Sequence, residues 1–144
     1  MNTLRELLTG SPEETEQAGE RLGRSLLPGD VLLLAGDLGA GKTTLVRGLA
    51  RGLGVEGAVQ SPTFQLVRVH AGAIPLGHVD LYRLDSDADL GELGLDELLE
   101  EGVVVVEWGS RLLTPPAGSG RLDIEPIGTH ARRLTLNGPG RWTL

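Results

Sequence analysis

The stretch that decides the fold is Gly36-Asp37-Leu38-Gly39-Ala40-Gly41-Lys42-Thr43, which follows the apolar run Val31-Leu32-Leu33-Leu34-Ala35. A short apolar run between turn residues is typical of a strand that is buried on both faces. From Lys42 to Leu53 apolar residues recur at helical spacing, and Gly54 is a candidate C-cap. Strand, glycine-rich loop and helix, in this order, are the context in which such a motif predicts a phosphate-binding loop, or P-loop.

The residue types of this loop suit a phosphate site. Inward-pointing backbone amides surround phosphate oxygens, glycines allow a close approach, and the following helix presents its positive end to the anion. Lys42 is expected to reach the outer phosphates and Thr43 to offer its hydroxyl to Mg²⁺, while the amides from Leu38 to Thr44 hold the remaining oxygens. The sequence therefore predicts that the chain binds a nucleoside triphosphate with Mg²⁺. The alternative is a glycine-rich turn without a ligand.

The distribution of basic residues favours the phosphate site. Of the 13 basic residues 12 are arginine, and the only lysine is Lys42. A compact ammonium on a flexible stem suits a phosphate cradle, and the planar guanidinium of arginine is no substitute there. A single lysine at this position therefore supports a functional loop.

Length and composition narrow the class of protein. A chain of 144 residues fits one compact domain, so we expect residues 1–144 to form a single P-loop domain. The absence of cysteine excludes disulfides, thiolate metal sites and thiol catalysis. No signal segment and no apolar run of about 20 residues is visible, which predicts a cytoplasmic protein. The net charge of −7 argues against a broad surface that grips nucleic acid, so any contact with RNA is expected to be indirect.

A triphosphate site also needs a carboxylate near the Mg²⁺, usually at the end of a buried strand beside the strand of the loop. Glu107 directly follows Val103-Val104-Val105-Val106, the strongest buried-strand signal in the chain. It would emerge at the carboxyl edge of the sheet, where ligands bind in open α/β folds. Glu107 is therefore the first candidate for a Mg²⁺ ligand. The alternative is an ordinary strand-end carboxylate in solvent.

Asp80 is the second candidate acid. It lies in His78-Val79-Asp80-Leu81-Tyr82-Arg83, where it could orient the attacking water or hold Mg²⁺ through water. Arg83 could pair with Asp80 or with phosphate. The alternative is a structural pair of Asp80 and Arg83 on a hairpin.

Two further residues are candidates because of where they lie. Thr63, in Ser61-Pro62-Thr63, follows the helix by a short loop, where nucleotide switches place the hydroxyl that senses the terminal phosphate. The alternative is a proline turn with a capping hydroxyl. Trp108 is expected to be a core residue, with a contact beside the nucleotide as its alternative.

The rest of the chain predicts one more long helix and several strands. Ser11 is expected to cap a helix that runs to about Leu27, with Pro12 at its first position and Glu14 closing a capping box. Residues 95–99 predict a helical turn or two. The remaining predicted strands are 65–70 and 76–82, which form an antiparallel hairpin, and 121–125 and 133–137, which add antiparallel strands at one end of the sheet.

Together these motifs resemble one family. The segments Gly36 to Thr44, Ser61-Pro62-Thr63, His78 to Arg83 and Val106-Glu107-Trp108 look like the motifs of the TsaE (YjeE) family of small bacterial ATPases. Order, spacing and total length agree, and the resemblance covers nearly the whole chain. It implies an α/β fold of the P-loop NTPase type, with three layers and a mixed parallel and antiparallel central sheet flanked by helices.

The resemblance also implies a function. In that family the protein is the ATPase in bacterial synthesis of threonylcarbamoyladenosine at adenosine 37 of tRNA, and it works with a transferase subunit and its paralogue, TsaD and TsaB. The implied cofactors are ATP and Mg²⁺. The implied partners are a TsaD-like and a TsaB-like subunit, with tRNA contacted only through the complex.

The family's functional residues map onto this chain at matching motifs. Thr43 and Glu107 match Mg²⁺ ligands, and Asp80 matches a residue needed for turnover. Asp80, Lys42 and Glu107 are the implied catalytic residues, and Arg132 falls near a segment that approaches the nucleotide. Residues that match the ATP site are Gly36, Asp37, Leu38, Gly39, Ala40, Gly41, Lys42, Thr43 and Thr44. The loop from Thr114 to Gly120 and the tail after Arg133 match no motif of the family.

Other functions can be compared on the same residues. A small-molecule kinase would use the same loop but needs an acceptor site and a lid rich in arginine, and the acidic segment from Leu84 to Glu100 lacks such a cluster. A regulatory GTPase is excluded because its guanine-reading Asn-Lys-x-Asp element needs a second lysine. An interaction module that binds ATP without independent turnover is the alternative outside the enzymes.

Overall fold

The computed structural model describes residues 2–37, 39–57, 67–80, 94–107 and 116–144. Four residues singled out in the sequence, Leu38, Thr63, Arg83 and Trp108, lie outside these ranges. The predicted functions of these four residues therefore stay predictions.

The described residues form seven strands and three helices. The strands are β1 (Asn2–Thr9), β2 (Val31–Ala35), β3 (Val67–His70), β4 (Leu76–Asp80), β5 (Val103–Glu107), β6 (Gly120–Pro126) and β7 (Arg132–Pro139). The helices are α1 (Pro12–Ser25), α2 (Lys42–Gly52) and α3 (Asp96–Leu99). The bounds of β2 and the start of α2 are those predicted from the apolar run and the P-loop motif.

The sheet is parallel at its centre and antiparallel at both margins. Its strand order is β1-β7-β6-β2-β5-β4-β3. Both β5 and β6 pair in parallel with β2, and β4 pairs in parallel with β5. β3 is antiparallel to β4, as predicted for the hairpin. The predicted α/β class with a mixed sheet is therefore confirmed.

The two C-terminal strands differ in part from the prediction. β6 and β7 are antiparallel to each other and lie on the β1 side of the sheet. However, β6 pairs in parallel with β2, with Leu122 opposite Leu34, so it belongs to the parallel centre. Alternation of polar and apolar residues indicates one exposed face and carries no information on strand direction. The prediction of a purely antiparallel addition was therefore wrong for β6.

Helices cover both faces of the sheet. α1 and α2 lie on one face, and their apolar residues form one core with Leu32 and Leu34 of β2 and Val105 of β5. On the other face Val104 and Val106 pack in a second cluster with Leu95, beside the short helix α3. Side chains of successive strand residues point to opposite faces, so the continuous valines of β5 serve both cores. The result is the three-layer arrangement that the resemblance implied.

The start of α1 follows the predicted cap with one difference. The Ser11 side chain accepts a hydrogen bond from the Glu14 amide at 3.2 Å, as an N-cap should. The Glu14 carboxylate accepts from the amide of Gly10, one residue before the cap, whereas a capping box would use the Ser11 amide. The helix ends at Ser25, two residues before the predicted end.

α1 and α2 pack with their backbones in close contact. A Cβ atom on Gly48 would lie 1.9 Å from the carbonyl oxygen of Glu16, and one on Gly23 would lie 2.2 Å from that of Leu49. Only glycine allows this approach, since any side chain would push the helices apart. α2 carries Lys42 at its start, so this contact fixes the P-loop helix against α1.

Strand β1 has no counterpart in the sequence prediction. It pairs in antiparallel register with β7 along its whole length, from Asn2 opposite Pro139 to Thr9 opposite Arg132. Leu4 and Leu8 point to the exposed side. None of the helices in the described ranges is long and apolar enough to cross a membrane.

Candidate functional site

The loop between β2 and α2 brings the backbone of the P-loop motif to the carboxyl end of the sheet. Gly41 is the N-cap of α2 and has φ of +103°, a left-handed conformation that favours glycine. It has no side chain to cap the first-turn amides of α2, so these donors and the positive helix end face the loop. Asp37, Gly39 and Thr43 are exposed, Gly36, Gly41 and Thr44 are partly buried, and Ala40 is buried. An anion therefore has access to this helix terminus.

Lys42 and Glu107 face each other across the sheet edge. Lys42 begins α2 and is 6 % exposed, while Glu107 ends β5 and is 7 % exposed. The Lys42 Nζ atom lies 3.9 Å from Oε1 of Glu107. This distance is an ion pair but exceeds a normal hydrogen bond. Two opposite charges that are buried together at the edge of the sheet, beside the P-loop, mark the pair as a candidate site.

Strand register explains why Glu107 reaches this point. β5 is the direct neighbour of β2, and Glu107 pairs with Leu34 one residue before the end of β2. On the other side Glu107 pairs with Asp80, the last residue of β4. The structure therefore brings the two candidate acids to adjacent strand ends. Glu107 is buried and is not the solvated strand-end carboxylate of the alternative interpretation.

Sequence reasoning missed His78. Its ring is buried, and Nε2 lies 2.8 Å from Oε2 of Glu107. The two residues are on parallel neighbours, with His78 opposite Val105 and so two positions before Glu107. A polar residue inside the otherwise apolar run of β4, two residues before Asp80, was the available signal. Glu107 thus contacts Lys42 through one oxygen and His78 through the other.

Arg132 lies at the P-loop from the opposite side. Its Nε donates to the Ala40 carbonyl at 2.7 Å, and Nη2 lies 3.5 Å from the Gly39 carbonyl. Nη1 donates to the carbonyl of Ala131 at 2.8 Å. The guanidinium therefore connects the start of β7 to the backbone of the loop. Its contacts are with backbone carbonyls of the chain itself.

Two clefts border the loop. One of about 30 Å³ lies between the starts of α1 and α2, and its lining residues are Pro12, Thr15, Gly41, Thr44, His130 and Arg132. The other, of about 420 Å³, opens beside β6 and includes Asp37, Asp123 and Glu125. The described residues that line this cleft include no lysine or arginine, although Arg121 and Arg133 pair with Asp123 and Glu125, so the cleft is less suited to a nucleotide's anionic end. The helix terminus at Gly41 is the better match, and the smaller cleft beside it has room for about one water molecule.

Within the described ranges no three or more His, Cys, Asp or Glu side chains are grouped so that they could hold a metal ion. Mg²⁺ bound with a nucleotide needs no such group, because phosphate oxygens and water fill most of its shell. Thr43, exposed in the first turn of α2, and Glu107 are oxygen donors of the suitable kind.

Comparison with known proteins places the chain in a family. The family model described as "Threonylcarbamoyl adenosine biosynthesis protein TsaE" matches residues 9–134. The chain belongs to the TsaE family. The matched range contains the P-loop motif, both candidate acids, His78 and Arg132.

Relatives of known sequence and structure agree with this assignment. A tRNA threonylcarbamoyladenosine biosynthesis protein TsaE of Streptomyces coelicolor is 46 % identical over 136 residues, which cover 88 % of this chain and 92 % of the relative. A protein of the same name from Bacillus subtilis is 40 % identical over 136 residues, with 92 % and 84 % covered. The crystal structure of Bacillus subtilis YdiB superimposes with a TM-score of 0.78 at 36 % identity, covering 97 % of this chain and 88 % of that one.

Proposed function

We propose that this chain binds ATP with Mg²⁺ and hydrolyses it in the synthesis of threonylcarbamoyladenosine in tRNA. The observation that carries the proposal is the buried pair of Lys42 at the start of α2 and Glu107 at the end of β5, 3.9 Å apart at the P-loop. Family membership supports the biosynthetic role, because the relatives carry that name.

The P-loop and Lys42 bind the phosphates in this proposal. Backbone amides at the start of α2 donate to phosphate oxygens, and the helix dipole adds to the attraction. Lys42 turns its ammonium from Glu107 to the outer phosphates, where it donates charge-assisted hydrogen bonds. Arg132 keeps the loop in shape through the carbonyls of Ala40 and Gly39, so its effect on binding is indirect.

Glu107 and Thr43 are the proposed side-chain ligands of Mg²⁺. The fit rests on hard oxygen donors at the P-loop and on the position of the Glu107 carboxylate, whose Oε1 faces Lys42 at 3.9 Å. When bound, the ion neutralises the negative charge that develops on the phosphate oxygens during transfer. ATP is preferred to GTP because the guanine-reading element needs a second lysine, and the chain has only Lys42.

Asp80 is the proposed positioning group for the attacking water. It ends β4 beside Glu107, and a carboxylate there can accept a proton or a hydrogen bond from water near the terminal phosphate. Arg132 contacts the P-loop, but its guanidinium donates to the carbonyls of the loop itself. We therefore propose slow intrinsic turnover that partner subunits stimulate.

The proposed partners are the TsaD-like and TsaB-like subunits of the transferase, in the cytoplasm. A net charge of −7 disfavours direct binding to the tRNA backbone, so tRNA is contacted through the complex.

Reconstituted tRNA modification tests the proposal. The chain is combined with TsaD and TsaB proteins, tRNA, ATP and the transferase substrates, and modified adenosine is measured by mass spectrometry over several turnovers. Lys42→Ala and Glu107→Ala are expected to abolish multiple-turnover modification. Both variants should melt within a few degrees of the unchanged protein, which separates function from folding.

Glu101→Ala is the matched control. Glu101 is an exposed carboxylate two residues before β5, so its loss changes the same charge as Glu107→Ala at the opposite end of the strand. It should support full modification. Full multiple-turnover modification by both Lys42→Ala and Glu107→Ala would contradict a role for ATP handling.

A further inference from the structure

We propose that His78 is a positioning residue that holds the Glu107 carboxylate in the orientation that Mg²⁺ binding requires. This inference rests on the proposed function of Glu107. It concerns a residue for which neither motif spacing nor family membership supplies a role in this chain. The observations that carry it are the burial of the ring, its one short hydrogen bond and the geometry of Glu107.

His78 can act only through another residue. Its side chain is 1 % exposed, and β4 places it two residues inside the sheet from Asp80. A nucleotide at the loop therefore cannot touch the ring. The Nε2 atom lies 2.8 Å from Oε2 of Glu107, so the effect of His78 passes through this carboxylate.

Glu107 needs a fixed partner because its other contact is temporary in the proposed function. Oε1 faces the Lys42 ammonium at 3.9 Å, and Lys42 moves to phosphate when nucleotide binds. A glutamate side chain has several rotatable bonds, and loss of one contact would let the carboxylate turn. The ring N–H of a buried histidine keeps one oxygen in place, and the other oxygen stays directed at the loop. Groups that orient a ligand in this way affect metal affinity strongly.

The protonation pattern of the ring follows from its partners. A carboxylate only accepts hydrogen bonds, so Nε2 of His78 is the donor in the bond to Glu107. Nδ1 is buried and has no hydrogen-bond partner among the residues that the structure describes. A buried polar atom without a partner lowers stability, and an apolar side chain at this position would avoid that loss. A role as simple core filling therefore does not explain a histidine, whereas the bond to Glu107 does.

The experiment compares two substitutions at His78. His78→Leu keeps the volume and removes the donor, while His78→Gln offers an amide N–H at a similar distance from the backbone. The affinity for ATP is measured by calorimetry with Mg²⁺ and with a chelator in its place. In the unchanged protein Mg²⁺ should increase the affinity. His78→Leu should lower this Mg²⁺-dependent gain at least about tenfold and leave the affinity in chelator unchanged, and His78→Gln should restore most of the gain.

A double substitution identifies the path of the effect. In the Glu107→Gln background, His78→Leu should produce no further loss of the Mg²⁺-dependent gain, because the carboxylate that it orients is gone. An unchanged gain in His78→Leu, or equal losses with Mg²⁺ and with chelator, overturns the inference and leaves the proposed function intact. No ATP binding by the unchanged protein would contradict the proposed function itself, and the inference with it.

Nitrogen NMR of the unchanged protein gives a test that needs no folded variant. The His78 ring should show a proton on Nε2, and its Nε2 resonance should shift when Mg²⁺ and ATP are added together. ATP with chelator should shift it less. A ring protonated on Nδ1 alone would show that Nε2 does not donate to Glu107, and would overturn the inference.

Discussion

Two buried carboxylates lie at opposite ends of the central strands, and they are bound in opposite ways. Asp30 precedes β2 and is 6 % exposed, and Glu107 ends the neighbouring strand β5 and is 7 % exposed. Asp30 accepts hydrogen bonds from the Leu27 amide at 2.8 Å, from the Arg141 guanidinium at 2.8 Å and from the Trp142 indole at 3.1 Å. Glu107 has one short contact, to His78, and a longer one to Lys42.

The difference separates a structural carboxylate, Asp30, from the one that we propose as a Mg²⁺ ligand, Glu107. Asp30 accepts hydrogen bonds from three residues, and its bond to Arg141 raises the pKa of the guanidinium. These bonds hold the C-terminal residues Arg141 and Trp142 against the start of β2. Within the described ranges Glu107 keeps an oxygen without a close donor, which leaves it able to accept a cation. Two carboxylates that are equally buried can therefore differ in role, and the arrangement of their hydrogen-bond partners distinguishes the two roles.

The largest expected effect is on stability, at Asp30. Asp30→Ala leaves the Trp142 N–H and the Leu27 amide without their acceptor and frees the tail. Removing one partner of a buried ionic network lowers stability by several kcal/mol, and Arg141 is 44 % exposed, so we expect a loss of about 3 kcal/mol. Urea unfolding measures this value.

Asp123→Ala is the matched control for Asp30. Asp123 also binds an arginine, Arg121, at 2.9 Å, but both side chains are about half exposed. Exposed pairs contribute little, so the loss should stay below about 0.5 kcal/mol. Equal losses in the two variants would show that the Asp30 network does not stabilise the fold.

The second prediction concerns Glu107→Gln, where function should change more than stability. The amide keeps the size of the side chain but removes its charge, so the affinity for ATP with Mg²⁺ should fall about 30-fold, or about 2 kcal/mol. The free energy of unfolding should change by less than about 1 kcal/mol, since losing a buried charge offsets losing its partners. Calorimetry and urea unfolding on one preparation measure both values. A stability loss as large as that of Asp30→Ala would place Glu107 in the structural class.

The fold around the P-loop could be predicted because its signals are local. The apolar run of β2, the glycines and the helical spacing of α2 lie within consecutive residues, and the valines of β5 mark a strand buried on both faces. β1 was missed because it is an edge strand whose exposed side carries Leu4 and Leu8, so it lacks the usual alternation. Its partner β7 is more than a hundred residues away, and no local pattern reports such a pairing.

In the candidate site, too, some residues could be predicted from local sequence signals and others could not. Glu107 and Lys42 were predicted from a motif and a buried strand, and parallel pairing of β2 with β5 brings them together. The bond from His78 to Glu107 depends on the register of β4 with β5, which sequence spacing does not determine. The Asp30 network was not foreseen, since its partners Arg141 and Trp142 are at the other end of the chain.

The third prediction concerns Trp142, whose indole donates a hydrogen bond to the buried carboxylate of Asp30. Trp142→Phe removes the indole N–H that binds Asp30 at 3.1 Å and keeps an aromatic ring in the buried position. A hydrogen bond to a charged group and a small loss of packing together predict a loss of about 1.5 kcal/mol, half that of Asp30→Ala. In the Asp30→Ala background the same change should have a smaller effect, because the acceptor is already gone. Full additivity in urea unfolding would contradict the coupling of the two residues.

The smallest effect concerns protonation at the Asp30 end of the sheet. His70 pairs with Leu76 at the start of β4, and burial, His78 and Arg68 lower the pKa of His70 from its usual 6.5. The unfolded chain therefore binds a proton that the folded chain resists, and stability falls as the pH drops through 6.5. The glutamine of His70→Gln carries no charge at any pH, so the melting temperature of this variant should fall less than that of the unchanged protein between about pH 7.5 and about pH 5.5.

His130→Gln is the control. His130 is exposed, so this substitution should leave the dependence of the melting temperature on pH unchanged. The same pH slope in His70→Gln and in the unchanged protein would show that the acid sensitivity of this end has another source.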